Sequence, residues 1–195
     1  MQVADLGNAS DLGRTLAVAY ETNPLIRWMF EDDLSLSRLQ GLFTSLVEFG
    51  IKNGLVYRSS GRDGASIWFP PITESMDQLD VTTDTSQWSG GRRDAALAIL
   101  ADGRPAEPHY YLDAVGVVPN SRRQGKASTL LGPVLAACDS RSIGAYLENT
   151  DPANGPFYRR HRFIEVGPLP LPEGAPVIMS MWRSPGSSER PAVVN

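Results

Sequence analysis

The residues best suited to chemistry form a short basic run that carries a glycine. Arg122, Arg123 and Lys126 supply three cations around Gly125. A helix that starts here would add free backbone N–H groups, and a glycine lets an anion come close to them, so the run suits a phosphate or a pyrophosphate. A solvated basic turn that only caps the helix is the alternative, and a motif this short does not decide between the two.

Two well-known phosphate loops are excluded at this place. A P-loop requires a glycine five residues before the Gly125-Lys126 pair and a hydroxyl residue after it, but the chain has Asn120 and Ala127 there. The dinucleotide-binding pattern G-x-G-x-x-G is also absent from this turn. An anion site in the run therefore belongs to another class.

The elements on either side would hold this run between a strand and a helix. Residues 110–118 have strand character, Gly116 marks a bulge or a place where another group comes close, and Pro119 ends the strand. Apolar residues then recur at helical spacing. They are Ala127, Leu130, Leu131, Val134, Leu135 and Cys138. The basic run thus opens a predicted helix.

Two motifs in this part of the chain resemble one family. The run from Val117 through Pro119, Arg122 and Gly125 to Ala127 resembles the [RQ]-x-x-G-x-[GA] acetyl-CoA signature of the GNAT acetyltransferases. Residues 147–163 resemble the family's later pattern, in which L-E is followed by an asparagine, by F-Y and by G-F. Within the superfamily the chain is most similar to puromycin N-acetyltransferase-like actinobacterial enzymes, which share the proline at 133 and the P-E-G at 172–174.

The resemblance implies a fold and an activity. The fold would be the α/β GNAT acyl-CoA N-acyltransferase fold, a mixed, mostly antiparallel central sheet flanked by helices, over residues 1–183, with a disordered tail at 184–195. The activity would be transfer of an acetyl group from the co-substrate acetyl-CoA to the amine of a small molecule, antibiotic-like or secondary-metabolite-like, in a direct ternary complex. A protein or peptide amine as acceptor, and a non-catalytic acyl-CoA-binding module, remain open.

The resemblance also implies which residues bind the cofactor. Pantetheine would lie along Val115, Gly116 and Val117, and the N–H of Val117 would donate to the acetyl oxygen. Asn154 would contact the cofactor arm or fix its loop. The pyrophosphate would lie on the turn made of Arg122, Arg123, Gln124, Gly125, Lys126, Ala127 and Ser128.

The catalytic groups that the resemblance implies are a phenol and a carboxylate. Tyr158 would protonate the departing thiolate. Glu148 would take the proton of the ammonium acceptor, with Asp113 or a water chain as the alternatives. Trp28, in the apolar segment at 24–33, would contact the acceptor. The chain departs from the family at Arg162, where a glycine is usual; glycine there takes φ > 0, so the turn must differ or Arg162 must bear strain.

Composition limits the class of protein. The chain has 195 residues, 42% of them hydrophobic, with a formal net charge of −4, which is typical of one globular domain and argues against a nucleic-acid partner. One cysteine and two histidines exclude an intramolecular disulfide and make a zinc site improbable, so no metal is expected. No signal peptide or long apolar run is seen, so a cytoplasmic protein with no membrane partner is expected. A homodimer is left open.

The remaining elements follow from local patterns. An apolar loop is predicted over residues 24–33, and Asp32 and Asp33 are predicted to start the next helix. Two strands, at 55–58 and 65–69, form a predicted hairpin. Residues 72–93 have no regular pattern, and a helix is predicted to begin at Asp94.

Overall fold

The computed structural model describes residues 1–30, 34–71 and 91–186. Sequence predictions for residues 31–33, 72–90 and 187–195 therefore lie outside the described residues. In the described residues the chain forms a seven-stranded sheet in the order β1-β2-β3-β4-β5-β7-β6. The strands are β1 Gln2–Val3, β2 Leu55–Arg58, β3 Gly64–Phe69, β4 His109–Val117, β5 Gly144–Asn149, β6 Ile164–Pro168 and β7 Met179–Arg183.

The helices of the described ranges cover the two faces of this sheet. They are α1 Ala9–Tyr20, α2 Pro24–Met29, α3 Leu36–Asn53, α4 Gly91–Asp102, α5 Lys126–Arg141 and α6 Gly155–Arg160. On one face, α1 and α3 pack on the sheet through a core that includes Leu16, Val47 and Ile67. The opposite face carries α5, where the hydroxyl of buried Ser66 donates to the backbone oxygen of Leu130 at 3.1 Å. None of these helices is both long enough and apolar enough to cross a membrane.

The sheet is antiparallel except at one pair of strands. β4 and β5 run parallel, and their pairing is confined to residues 109–111 against residues 144–146. Beyond this short ladder both strands continue, to Val117 and to Asn149, without pairing with each other. The prediction of a mixed, mostly antiparallel sheet flanked by helices is confirmed, and the sheet is split between its two parallel strands.

A bulge in β4 lies at the start of this split. Ile67 of β3 faces Ala114, and the next residue, Trp68, faces Leu112, so Asp113 has no partner on β3. An extra residue bends the bulged strand and redirects its side chains. The bulge lies at Asp113 rather than at Gly116, which keeps its partner Ala65.

One sequence prediction about the apolar segment was wrong. Residues 24–29 form helix α2, and not a loop, because the side chain of Asn23 accepts hydrogen bonds from the N–H groups of Leu25 and Ile26. Pro24 occupies the first turn, where the missing N–H costs nothing. The next helix is capped by Ser35, whose hydroxyl accepts from the N–H of Arg38, and α4 begins at Gly91, earlier than predicted.

Arg162 keeps the backbone conformation that favours glycine. Its φ is 68°, in the left-handed region, and the N–H groups of Arg162 and Phe163 close the end of α6 on the backbone oxygens of Arg159 and Tyr158, at 2.9 and 3.2 Å. The sequence predicted either a different turn or strain at Arg162. The structure keeps the turn and therefore has the strain.

Gly116 is where helix α1 comes closest to β4. A Cβ atom on Gly116 would lie 2.8 Å from the Cβ of Ala19 and 3.0 Å from a methyl group of Leu16. Two elements can approach this closely only where one of them lacks a side chain. This contact fixes the end of α1, and with it Tyr20, against the split edge of β4.

We expect Gly116→Val to lower the free energy of unfolding by about 1 to 3 kcal/mol, because the new side chain must displace α1. Urea unfolding followed by circular dichroism measures the change. Gly132→Ala is the matched control, since Gly132 is exposed in α5 with nothing within 4 Å of an added Cβ. The control should be neutral or stabilising by up to about 1 kcal/mol, and an equally stable Gly116→Val variant would contradict the close packing.

Candidate active site

A cavity of about 750 Å³ lies at the split between β4 and β5. Its floor is formed by residues 112–117 of β4 and 147–148 of β5, the parts of the two strands that do not pair with each other. Its walls come from α1, α2, α3 and α4, from residues 121–123 and 125–128, and from α6. The cavity therefore brings the basic run, the strand before it and the later motif into one space.

The edge of β4 that faces the cavity carries unpaired main-chain groups. The N–H of Val118 donates to the backbone oxygen of Asp63, toward β3, at 2.9 Å, so the N–H groups of Val115 and Val117 point the opposite way. The hydroxyl of Tyr20 accepts from the N–H of Val115 at 3.2 Å and donates to its oxygen at 3.3 Å. One side chain thus satisfies the main chain at Val115, where β5 would otherwise pair.

The basic run has the backbone shape that an anion site requires. Gly125 has φ +74° and precedes the first turn of α5, with open space where a Cβ would be. Arg123 also has a positive φ, of 60°. Arg122 donates to the backbone oxygens of Val117 and Ala19, both at 3.0 Å, and so links the end of β4 to the end of α1.

Lys126, the third cation of the run, already has a partner. Its ammonium group hydrogen-bonds to the carboxylate of Asp63 in the turn between β2 and β3. This ammonium group, with the hydroxyls of Ser121 and Ser59, holds the pKa of Asp63 well below its usual range. Lys126 lines the cavity, but its charge is partly neutralised by this pair.

Glu148 is a buried acid of the cavity. Its side chain is 4% exposed, and its Oε1 atom has no hydrogen bond although the Nε of Arg104 lies 3.9 Å away. Burial raises the pKa of Glu148 to about 7, against the lowering effects of Arg104 and of the Tyr111 hydroxyl. A carboxyl group with this pKa can accept a proton near neutral pH, which is the property that a general base needs.

Asp113 and Arg104 complete the same cluster. Asp113 is the bulge residue of β4, and burial raises its pKa to about 6, while Arg104 lowers it. The guanidinium of Arg104 stacks on the ring of Tyr111, 3.9 Å from the ring centre. One arginine therefore lies between two buried acids whose pKa values are both raised.

Tyr158 lies across the cavity on α6. It is 8% exposed, and its ring packs edge-on against Phe157 and Phe163. Burial, with the neighbouring Tyr20 and Asp151, raises the pKa of Tyr158 well above its usual range, so the phenol stays protonated. Asn154, which precedes α6, also lines the cavity.

The cavity contains most of the predicted site residues. Within the described residues, Gln124 and Trp28 are the exceptions. Gln124 is exposed, and its amide lies 3.5 Å from the backbone oxygen of Asn120. The indole of Trp28 packs beside α4 with Arg92 over its ring, so the geometry does not favour its predicted contact with an acceptor. The same segment reaches the cavity through Leu25, Ile26 and Met29.

Tyr20, Arg93 and Arg104 are among the cavity residues that the sequence analysis missed. Tyr20 shares the apolar face of α1, which indicates core and gives no sign that its hydroxyl meets β4. Arg93 and Arg104 lie at the two ends of α4, beside a stretch of sequence with no regular pattern. No local signal identifies them, because their places depend on how α4 packs against the rest of the fold.

Comparison with known proteins agrees with this geometry. Residues 86–163 match the family model for the acetyltransferase (GNAT) family. A Corynebacterium glutamicum structure, described as histone acetyltransferase HPA2 and related acetyltransferase, has 22% identity and a TM-score of 0.69, with 95% of each chain covered. Polyamine N-acetyltransferase of Drosophila melanogaster has 15% identity and a TM-score of 0.60, over 93% of this chain and 97% of the other. An N-acetyltransferase of Staphylococcus aureus Mu50 has 15% identity and a TM-score of 0.60, over 93% and 100%.

The fold class follows from these findings. The chain has the GNAT fold, with its seven-stranded open sheet. The segment that matches the model of the acetyltransferase (GNAT) family runs from before α4 through β4, the basic run, α5, β5 and α6.

We expect Glu148→Gln to stabilise the protein at pH 8 by about 3 kcal/mol, because a rise in pKa from 4.5 to about 7 has a free energy of that size. The folded state binds this proton more tightly than the unfolded state does. Stability due to Glu148 is therefore complete below the unfolded pKa of 4.5 and is lost as pH rises through about 7. Glutamine stays neutral at both pH values, so the variant keeps this stability at pH 8.

Urea unfolding at pH 5 and at pH 8 measures this difference. The control is Glu165→Gln, because Glu165 is 45% exposed in an ion pair with Arg159 at 2.7 Å and should change stability little at either pH. If Glu148→Gln were no more stable than the wild type at pH 8, Glu148 would not be the buried acid with a raised pKa that the geometry indicates.

Proposed function

We propose that the protein transfers an acetyl group from acetyl-CoA to the amine of a small molecule, within one complex that holds both substrates. The observation that carries the proposal is the split between β4 and β5, whose unpaired edge opens into the same cavity as the Gly125 turn, Glu148 and Tyr158. Each of these features has a use in acetyl transfer, and a binding module has no use for a buried base.

The cofactor's two polar parts fit two features of the chain. The turn from Arg122 to Ser128 offers helix N–H groups, an open Gly125 and the exposed Arg123 to a pyrophosphate. The edge at Val115 and Val117 offers main-chain groups to the pantetheine arm, in the manner of an added strand. The Tyr20 hydroxyl must leave Val115 for pairing there, whereas the Val117 amide is directed at the cavity.

Acetyl-CoA supplies the activated acetyl thioester, and the chain's own groups move protons. Glu148, with a pKa of about 7, would take a proton from the ammonium acceptor, directly or through water. Asp113, with a pKa of about 6, is the second candidate for this role. Tyr158, which stays protonated, would donate its proton to the departing thiolate. The Val117 N–H would stabilise negative charge on the acetyl oxygen.

A small amine is the acceptor that we favour. The cavity has about 750 Å³, a volume within the range of small-molecule sites. Structures with this fold include a polyamine N-acetyltransferase, an agmatine N-acetyltransferase and an insect arylalkylamine N-acetyltransferase. The resemblance of these motifs to those of puromycin N-acetyltransferase-like actinobacterial enzymes extends the proposal to an antibiotic-like or secondary-metabolite-like amine. A protein amine is the second candidate, because a structure of Naa20 with a bisubstrate analogue has the same fold.

The test is release of free thiol from acetyl-CoA in the presence of single amines. The panel should contain alkylamines, arylalkylamines, diamines, amino acids and peptides with free N-termini. We expect turnover on at least one small amine and less on the peptides. Tight binding of coenzyme A without turnover on any amine would instead identify a non-catalytic module.

We expect Tyr158→Phe to lower kcat by about a hundredfold, because the thiolate must then leave without a proton donor. Steady-state rates give kcat, and calorimetry gives the affinity for coenzyme A, which should stay within about twofold of wild type since the ring is kept. Phe157→Leu tests whether any change to this small helix has the same effect. An unchanged kcat in Tyr158→Phe would exclude the phenol as the acid.

We expect Gly125→Val to abolish measurable binding of coenzyme A, because valine strains a backbone with φ +74° and fills the space above the helix start. Calorimetry measures the affinity. Arg122→Ala should weaken binding only several-fold, because Arg123 and Lys126 also line the site. Gly132→Ala, in the same helix but away from the cavity, should bind as wild type does. Equal affinity in Gly125→Val would contradict the assignment of the turn.

A further inference from the structure

We propose that the acceptor carries a carboxylate at a distance from its amine, and that Arg93 binds this carboxylate. The inference rests on the proposed acetyl transfer and adds to it the chemical class of the acceptor. It places the amine beside Glu148 and the acid group beside α4. A zwitterion with an apolar middle, such as an ω-amino acid, fits this description, and a polyamine does not.

Arg93 is a buried cation on the wall of the cavity. Its side chain is 9% exposed and lines the cavity in company with Leu25, Leu97 and Leu100. Its one ion pair in the described part of the chain is a single contact of 3.3 Å to Asp94, the next residue, whose side chain is 55% exposed. Buried arginines usually form bidentate hydrogen bonds to a carboxylate or phosphate. The other N–H donors of Arg93 therefore suit an anionic group that enters the cavity.

The opposite charge lies at another part of the same cavity. The Oε1 atom of Glu148 is buried without a hydrogen bond, and Asp113 is the neighbouring acid. An ammonium group would supply the donor that Glu148 lacks. The cavity therefore has an acidic region and a basic residue, and one molecule with two unlike charges would pair with both.

The spacing of the two regions sets the length of that molecule. Arg93 lies in the first turn of α4 and Arg104 lies two residues past its end at Asp102, so the helix separates them by roughly 14 Å at about 1.5 Å per residue. Arg104 is the residue that lies beside Glu148. Between them α4 presents Leu97 and Leu100 to the cavity. An acceptor that spans this wall needs an apolar chain between its amine and its carboxylate. The side chains of Arg93 and Glu148 reach toward the acceptor from the two ends, so the chain can be shorter than the distance along the helix.

The experiment compares acceptors that differ only at the far end. Acetyl transfer is measured for hexylamine, 1,6-diaminohexane and 6-aminohexanoate, and then for ω-amino acids with shorter and longer chains. We expect kcat/KM to be about ten- to a hundredfold higher for the best ω-amino acid than for the alkylamine of equal length. The diamine should be the poorest of each set, because Arg93 repels its second charge.

Variants of Arg93 separate the carboxylate contact from general effects on the fold. Arg93→Gln should abolish the preference through KM, so that the ω-amino acid loses its advantage over hexylamine, and Arg93→Lys should keep part of it. Arg159→Gln removes an exposed arginine that does not line the cavity, and should leave the preference unchanged. A weaker affinity for coenzyme A in Arg93→Gln would assign this residue to the cofactor instead and overturn the inference.

A binding measurement keeps the inference testable if turnover is low. The amide 6-acetamidohexanoate and its neutral counterpart N-hexylacetamide are titrated into the protein with coenzyme A present. If the wild type binds the carboxylate more tightly than its neutral counterpart and Arg93→Gln does not, the inference is supported. This holds even if none of the amines is acetylated, because the absence of acetylation would refute only the proposed activity. Equal or weaker binding of the carboxylate overturns the inference. Faster acetylation of the alkylamine or the diamine also overturns it, but leaves the proposed acetyl transfer standing.

Discussion

The end of pairing between β4 and β5 is the constraint on which the rest of the site depends. Past Tyr111 and Tyr146 the two parallel strands separate, so main-chain N–H and C=O groups on one side of β4 have no partner strand. Buried backbone groups must be satisfied, and here side chains do so: Tyr20 makes two hydrogen bonds to Val115, and Arg122 donates one to the oxygen of Val117. Tyr20 reaches this place because Gly116 lets α1 lie directly on the strand. The packing of α1 on β4 thus determines whether the main-chain groups at Val115 are hydrogen-bonded.

The same split explains the unusual state of the acids. A carboxyl group at the inner end of a cavity loses hydration, and Arg104 at 3.9 Å restores only part of the lost stabilisation to Glu148. The protein therefore carries a group that makes it less stable near neutral pH. This cost has a use if the group exchanges protons with a substrate, and it has none in a purely structural pair. Stability and the proposed chemistry thus compete at one residue.

Much of the backbone around the basic run could be predicted from sequence, because its signals are local. Pro119, Gly125 and the apolar spacing of α5 each fix the backbone within a few residues, and the strand, turn and helix all formed where predicted. The signal for α2 was equally local, since Asn23 before Pro24 is a helix start, but the apolar residues that follow were interpreted as a loop. The acceptor side could not be predicted in this way. Arg93, Arg104 and Tyr20 meet the cavity through contacts between elements that are far apart in sequence.

The most direct test of the account is amide hydrogen exchange at β4 with and without coenzyme A, resolved by residue with NMR. The account predicts that the Val117 amide, directed at the cavity, becomes strongly protected when coenzyme A binds, while the Val118 amide, already bonded to Asp63 at 2.9 Å, changes little. Saturation with coenzyme A that leaves Val117 exchange unchanged would contradict it, because the cofactor would then bind somewhere other than the open edge of β4.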